Sequence, residues 1–163
     1  MNEDFLDELG ELALASRLKR LSEKMLADVS SVYQHFDVSV QAKWFPLFAL
    51  LDSKASVSIV QAANLLGFSQ PAISQFCKQL EAKDLIIIQV SNEDSRKKYI
   101  SLSKKGRSEV AKMRPMWKAV RQAAKQLCEQ GGNDFFASLV RLEKALYSQS
   151  LYTRILEESS AEK

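Results

Sequence analysis

The 163-residue chain holds one histidine, two cysteines, three prolines and five glycines, and each scarcity removes a class of function. With one histidine, no nucleophile elbow, no phosphate-binding glycine loop and no spaced His/Cys/Asp/Glu set, no candidate catalytic group has a partner. Enzymatic activity, a metal and a cofactor are therefore not expected. His35 reads as a partly exposed helix-end residue rather than a catalyst or ligand. Cys77 and Cys128 are too few for a disulfide framework or zinc cluster and read as free, buried thiols without a redox role. No apolar run approaches the roughly 18 residues of a membrane span, and the acidic opening MNEDFLDELGEL is unlike a signal peptide. A cytoplasmic protein with no membrane partner is expected. No repeat or low-complexity segment is evident.

What is present begins with composition. At 46% hydrophobic and 26% charged residues, the chain is ordinary for a globular protein and long enough for one domain with appended helices. Its net charge of +3 is unevenly spread. Residues 1–37 carry 4 Lys/Arg against 8 Asp/Glu, residues 38–128 carry 15 against 6, and residues 129–163 carry 4 against 6. A basic centre between acidic ends points to an anionic partner for the centre.

Apolar residues from Phe5 to Phe36, including Leu14, Leu18, Leu21, Met25, Val29 and Val32, recur at helical spacing, which predicts one long amphipathic helix. Gln41–Leu51 predicts a shorter, buried helix with Pro46 near its start. Ser58 and Gln61 form a capping box before Ile59, Ala62, Ala63 and Leu66. The β-branched run 85–90, the polar turn SNEDSRKK and the alternating run 99–102 predict a β-hairpin. Ser103 then caps a helix carrying Val110, Met113, Trp117, Val120, Ala124 and Leu127, which Pro115 should kink. Gly131-Gly132 breaks the chain, and Asn133 caps a last helix with Phe135, Leu139, Leu142 and Leu146 on one stripe.

The stretch GFSQPAISQFCKQL, residues 67–80, is the most informative. Gly67 can end one helix at positive φ, Ser69 can cap the next, and Pro71 falls where its missing N–H removes no bond. Ala72, Ile73, Phe76 and Leu80 then face a core. Outward remain Ser69, Gln70, Pro71, Ser74, Gln75, Lys78 and Gln79, without a carboxylate. Short polar side chains at a helix start suit base edges and phosphates, which would repel an acidic residue. Helix, turn, second helix and hairpin is the order of a winged helix-turn-helix, with Arg96, Lys97 and Lys98 at the wing tip and Lys104, Lys105 and Arg107 just beyond. The fold class expected is mainly α with a small β wing, a winged helix-turn-helix flanked by long dimerisation helices.

The run from Val57 to Gly106, with S-Q-P-A-I-S, L-E-A-K-D-L-I, E-D-S-R and S-L-S-K-K-G, resembles the MarR family of bacterial transcriptional regulators. The flanking helices fit that family's layout over nearly the whole chain. The resemblance implies a homodimer that binds pseudo-palindromic double-stranded DNA through residues 37–107, with residues 1–36 and 108–163 as the dimerisation region. It implies that Asp94 holds Arg96, which reaches the minor groove. Ser95 stands where the family often has another Arg, so a weaker wing contact is expected. It also implies a small aromatic or apolar effector, for which Tyr33, Trp44, Phe45 and Phe48 are the candidate pocket; core packing explains the same residues. The oxidant-sensing members place a reactive Cys near the first helix, and residues 1–36 hold none.

Two alternatives stand beside this reading. One is a winged-helix module used only for protein association, against which the charge partition and the acid-free helix face argue. The other is the regulatory half of a lineage whose longer members carry a carboxy-terminal acetyltransferase domain, for which this chain ends too soon.

Overall fold

The computed structural model describes residues 4–36, 38, 40–92 and 94–161. It divides into two compact units, Met1–Met116 and Trp117–Lys163.

In the first unit the expected single helix from Phe5 to Phe36 is broken by Gly10, whose φ of +53° leaves the right-handed helical region. The segment becomes α1 (Phe5–Glu8), a 3-10 turn over Gly10–Ala13 and α2 (Leu14–His35). Arg17 and Arg20 of α2 pair with Asp7 and Asp4 across the break. Tyr33 of α2 is buried, whereas Leu14, Leu18, Leu21, Met25 and Leu26 stay exposed. His35 ends the helix, exposed, its ring edge-on to Phe36.

A 3-10 turn over Ala42–Trp44 leads into α3 (Phe45–Ser53), where Pro46 sits in the first turn. Trp44, Leu47, Phe48 and Leu51 are buried, but Phe45 is exposed, contrary to the expectation of a fully buried helix. β1 (Val57–Ser58) runs directly into α4 (Ile59–Leu66), and α5 (Gln70–Glu81) follows after a three-residue turn. β2 (Ile86–Val90) and β3 (Lys98–Leu102) form the expected hairpin. The third strand β1, which sequence pattern did not announce, pairs antiparallel with β3 through Val57 opposite Ile100, giving the order β1-β3-β2.

Two motifs separated in sequence meet at the base of this hairpin. Asp84, the residue that turns the chain out of α5, has φ of +64°, uncommon for a residue with a Cβ. The Ser103 hydroxyl donates to the Asp84 carbonyl at 2.5 Å and accepts from the Gly106 N–H at 2.9 Å, so it caps α6 (Lys104–Gln130) while tying that helix to the end of α5. Gly106 lies against the Leu85 carbonyl, where a Cβ would stand 1.9 Å from the oxygen. Lys105 donates to the Lys83 carbonyl and Arg107 to the Leu102 carbonyl. These two cations therefore brace the wing's base. Arg114 of α6 clasps Asp52 of α3 with two hydrogen bonds, 2.7 and 3.2 Å.

The α6 helix continues through Pro115 to Gln130, and the boundary between the units falls immediately after that proline, at Met116 and Trp117. In the second unit Gly132, at φ of +118°, ends the helix as expected. The following cap is Asp134, not Asn133; its carboxylate accepts from Ser138 and Arg141 rather than from a backbone amide. The expected last helix is two, α7 (Phe135–Ser148) and α8 (Leu151–Ala161), because Ser150 interrupts it and accepts from the Thr153 N–H at 3.1 Å. No helix among the described residues is long and apolar enough to cross a membrane.

Candidate nucleic-acid interface

The site is set by short-range capping. Ser58 and Gln61 form a reciprocal capping box, the Gln61 N–H donating to Ser58 Oγ at 3.1 Å and the Ser58 N–H to Gln61 Oε1 at 3.0 Å. This fixes the start of α4. Gly67, at φ of +67°, ends that helix, and its N–H donates to the Ala63 carbonyl. Ser69 then caps α5, accepting from the Ala72 N–H at 3.3 Å, with Pro71 in the first turn. The inner face of α5 is closed by Ile73, Cys77 and Leu80, all buried, while Phe76 is half-buried and meets Phe68 edge-to-face.

The outer face presents Ser69, Gln70, Pro71, Gln75 and Lys78 exposed, with Ser74 and Gln79 half-buried. The nearest acid on the helix, Glu81, is its last residue. Polar donors and acceptors thus crowd the positive end of the α5 dipole, and negative charge is kept to the other end.

The wing tip is held by its own side chain. Asp94 Oδ1 accepts from the Arg96 backbone N–H at 3.0 Å and from Arg96 Nε at 3.1 Å. These bonds lower the Asp94 carboxyl below the usual aspartate range, so it remains charged through neutral pH. The Arg96 side chain itself is 90% exposed. Asp94 therefore orients a guanidinium that stays available to a further anion. Lys97 sits in the turn, whereas Lys98 is already the first residue of β3.

A cavity of about 460 Å³ joins these parts. It is lined by Gln70 and Ser74 of α5, by Arg96, Lys97, Lys98 and Tyr99 of the hairpin, and by Ser58, Ile59, Val60 and Gln61 at the start of α4. Its lining among the described residues holds no carboxylate. Of the residues singled out from sequence, this groove gathers Gln70, Ser74, Arg96, Lys97 and Lys98; Pro71, Gln75 and Lys78 of the same helix and its cap Ser69 lie outside the lining. Val60, Gln61 and Tyr99 were missed. The capping box was legible, but its place beside the wing depends on β1 pairing with β3.

The four aromatic residues of the candidate effector pocket differ in their surroundings. Trp44 and Phe48 are 1% exposed and belong to the core, with the Trp44 indole N–H buried without a partner among the described residues. Phe45 lies at the surface. Tyr33 alone of the four lines a second cavity, about 390 Å³, together with Ser30, Gln34, Val38, Val40, Gln41, Ala42 and Lys43. Cys77 is sealed in the core, and burial, with Glu81 nearby, pushes its thiol up to about 11. It is protonated at neutral pH. Cys128 is only half-buried, contrary to expectation. Among the described residues no His/Cys/Asp/Glu group could hold a metal ion.

No protein-family model and no curated protein sequence matches the chain. Solved structures do match its fold. The transcriptional repressor CouR, bound to a 23-mer DNA duplex, is 23% identical with a TM-score of 0.65, covering 85% of this chain and 96% of its own. The MepR–DNA complex of S. aureus is 21% identical with a TM-score of 0.70, over 81% and 97% of the two chains. A MarR/EmrR family transcriptional regulator from Acinetobacter sp. ADP1 is 22% identical with a TM-score of 0.66, over 85% and 95%. The chain shares with these proteins a helical fold carrying a small three-stranded wing.

Proposed function

We propose that the protein is a sequence-specific DNA-binding transcriptional regulator of MarR type, a non-enzymatic cytoplasmic homodimer acting on a pseudo-palindromic operator. One observation carries the reading: the polar start of α5 and the cationic wing tip line a single groove whose described lining is free of carboxylates. The resemblance of Val57–Gly106 to that family and the fold shared with proteins solved on DNA support it.

In this reading Ser69, Gln70, Pro71, Ser74, Gln75 and Lys78 enter the major groove, where an amide can match an adenine edge. Arg96, held by Asp94, reaches the minor groove, and Lys97 and Lys98 contact phosphates. Residues 37–107 are the DNA-binding domain, and residues 1–36 and 108–163 the dimerisation region. The dimer is supported by apolar side chains left in water, among them Leu18, Leu21 and Met25 on α2 and Phe136, Leu142 and Leu146 on α7. The cavity beside Tyr33 supports a small aromatic or apolar effector.

The test is a gel-shift measurement with genomic DNA fragments under excess unrelated duplex, beside sedimentation of the free protein. Retention of a small set of fragments by a dimer is expected. Equal retention of all fragments would reduce the protein to a non-specific binder, and no retention would leave a module for protein association.

A further inference from the structure

Val60 is out of place in the groove it lines. It is the second residue of α4 and 49% exposed, an aliphatic β-branched side chain in the lining shared by Gln70, Ser74, Arg96 and Lys97. Its neighbour Ile59 is buried in the core, whereas about half of Val60 stays in water. The capping box anchors the start of α4, where Val60 stands, and the same cavity is lined by Gln70 from α5.

The major groove of DNA offers one apolar group, the 5-methyl of thymine, and adenine's N6 and N7 lie in the same base pair across from it. A glutamine that matches adenine and an aliphatic side chain that covers a methyl therefore suit the same or adjacent A·T pairs. Gln70 and Val60 line one cavity from two different helices. We propose that Val60 is a specificity-determining residue that packs on a thymine methyl and forms, with Gln70, a composite reader of A·T pairs. The inference rests on the DNA-binding reading above and adds to it a residue on the first helix of the motif and a base it prefers.

Replacing thymine by deoxyuridine removes the methyl and keeps every hydrogen-bonding group, so the test needs only the wild-type protein, Val60→Ala and a selected operator. Each thymine of one half-site is replaced in turn and affinity is measured at fixed salt. The wild type should lose about fourfold at one position, the value of one buried methyl, and about sixteenfold when both half-sites carry the change. Val60→Ala should bind the thymine operator with that same deficit and be indifferent to deoxyuridine there, with its salt dependence unaltered. The proposal falls if the wild type tolerates deoxyuridine at every position, or if Val60→Ala remains as sensitive as the wild type. A wild type that selects no operator at all would overturn the DNA-binding reading together with this one. One that selects an operator but ignores the methyl overturns this proposal alone.

Discussion

The two compact units differ in how they treat their apolar residues. In the first, Trp44, Leu47, Phe48, Ile73, Leu80, Ile100 and Met113 are almost wholly withdrawn from water around a small sheet. Among the described residues of the second, none is buried, although α7 and α8 carry Phe136, Leu142, Leu146, Leu151, Tyr152, Ile155 and Leu156 in the open. One unit completes its core from its own sequence. The other leaves its large apolar side chains in water, as α2 of the first unit also does with Leu18, Leu21 and Met25, and exposed stripes of this kind are what the proposed dimer would cover.

The strongest way to break this comparison is to charge the open stripe. Leu142→Asp with Leu146→Asp should convert a micromolar dimer into a monomer in sedimentation, since each leucine contributes about 1 kcal/mol on burial and a symmetric dimer holds four. A double variant that stays dimeric would assign the interface elsewhere. The closed unit is tested by Gly106→Ala. The added Cβ would meet the Leu85 carbonyl at 1.9 Å, so the start of α6 must move; a loss of about 3 kcal/mol is expected in urea unfolding. An unchanged midpoint would mean that the wing's base yields easily.

Smaller effects are expected at the exposed tip. Arg96→Ala should weaken binding to operator and unrelated duplex alike and lower the salt slope by about one unit per wing. Unchanged affinity and slope would remove the wing from the site. The smallest effect concerns pH. The Asp94 carboxyl is lowered by its bonds to Arg96, so its contribution is complete above the ordinary aspartate range and is lost only as pH falls through that lowered value. The Arg96-dependent part of DNA binding should be the same at pH 8 and pH 5. A decline between them would show that some other group orders the tip.

What could be read from sequence was what is decided within three or four residues. Gly67, Ser69, Pro71 and the Ser58–Gln61 box each act on the nearest turn of backbone, and the helix-turn-helix follows from them. The hairpin followed from its alternation. Distant pairings were not legible. The two residues of β1 are too short to show a period, yet their pairing with β3 brings Val60 and Gln61 beside the wing. Lys105 and Arg107 looked like an extension of the basic wing, but they donate to carbonyls of Lys83 and Leu102. Gly10 and Ser150 interrupt helices although the apolar spacing continues across them, so periodicity alone did not show the breaks. Trp44 and Phe48 share a composition with ligand pockets, and only packing distinguishes a core ring from one that lines a cavity.

The central claim is that the outer face of α5 reads DNA sequence, and Gln75, exposed on that face, tests it most directly. Binding selection on randomised duplexes should be run with the wild type and Gln75→Ala side by side. Two half-sites are expected about one helical turn apart, roughly 10 base pairs. The variant should lose about 1–3 kcal/mol at the operator and relax its choice at one base pair in each half-site, with non-specific affinity nearly intact. Identical preferred sequences from the two proteins would contradict the claim, and a uniform loss on all DNA would make Gln75 a phosphate contact that carries no sequence information.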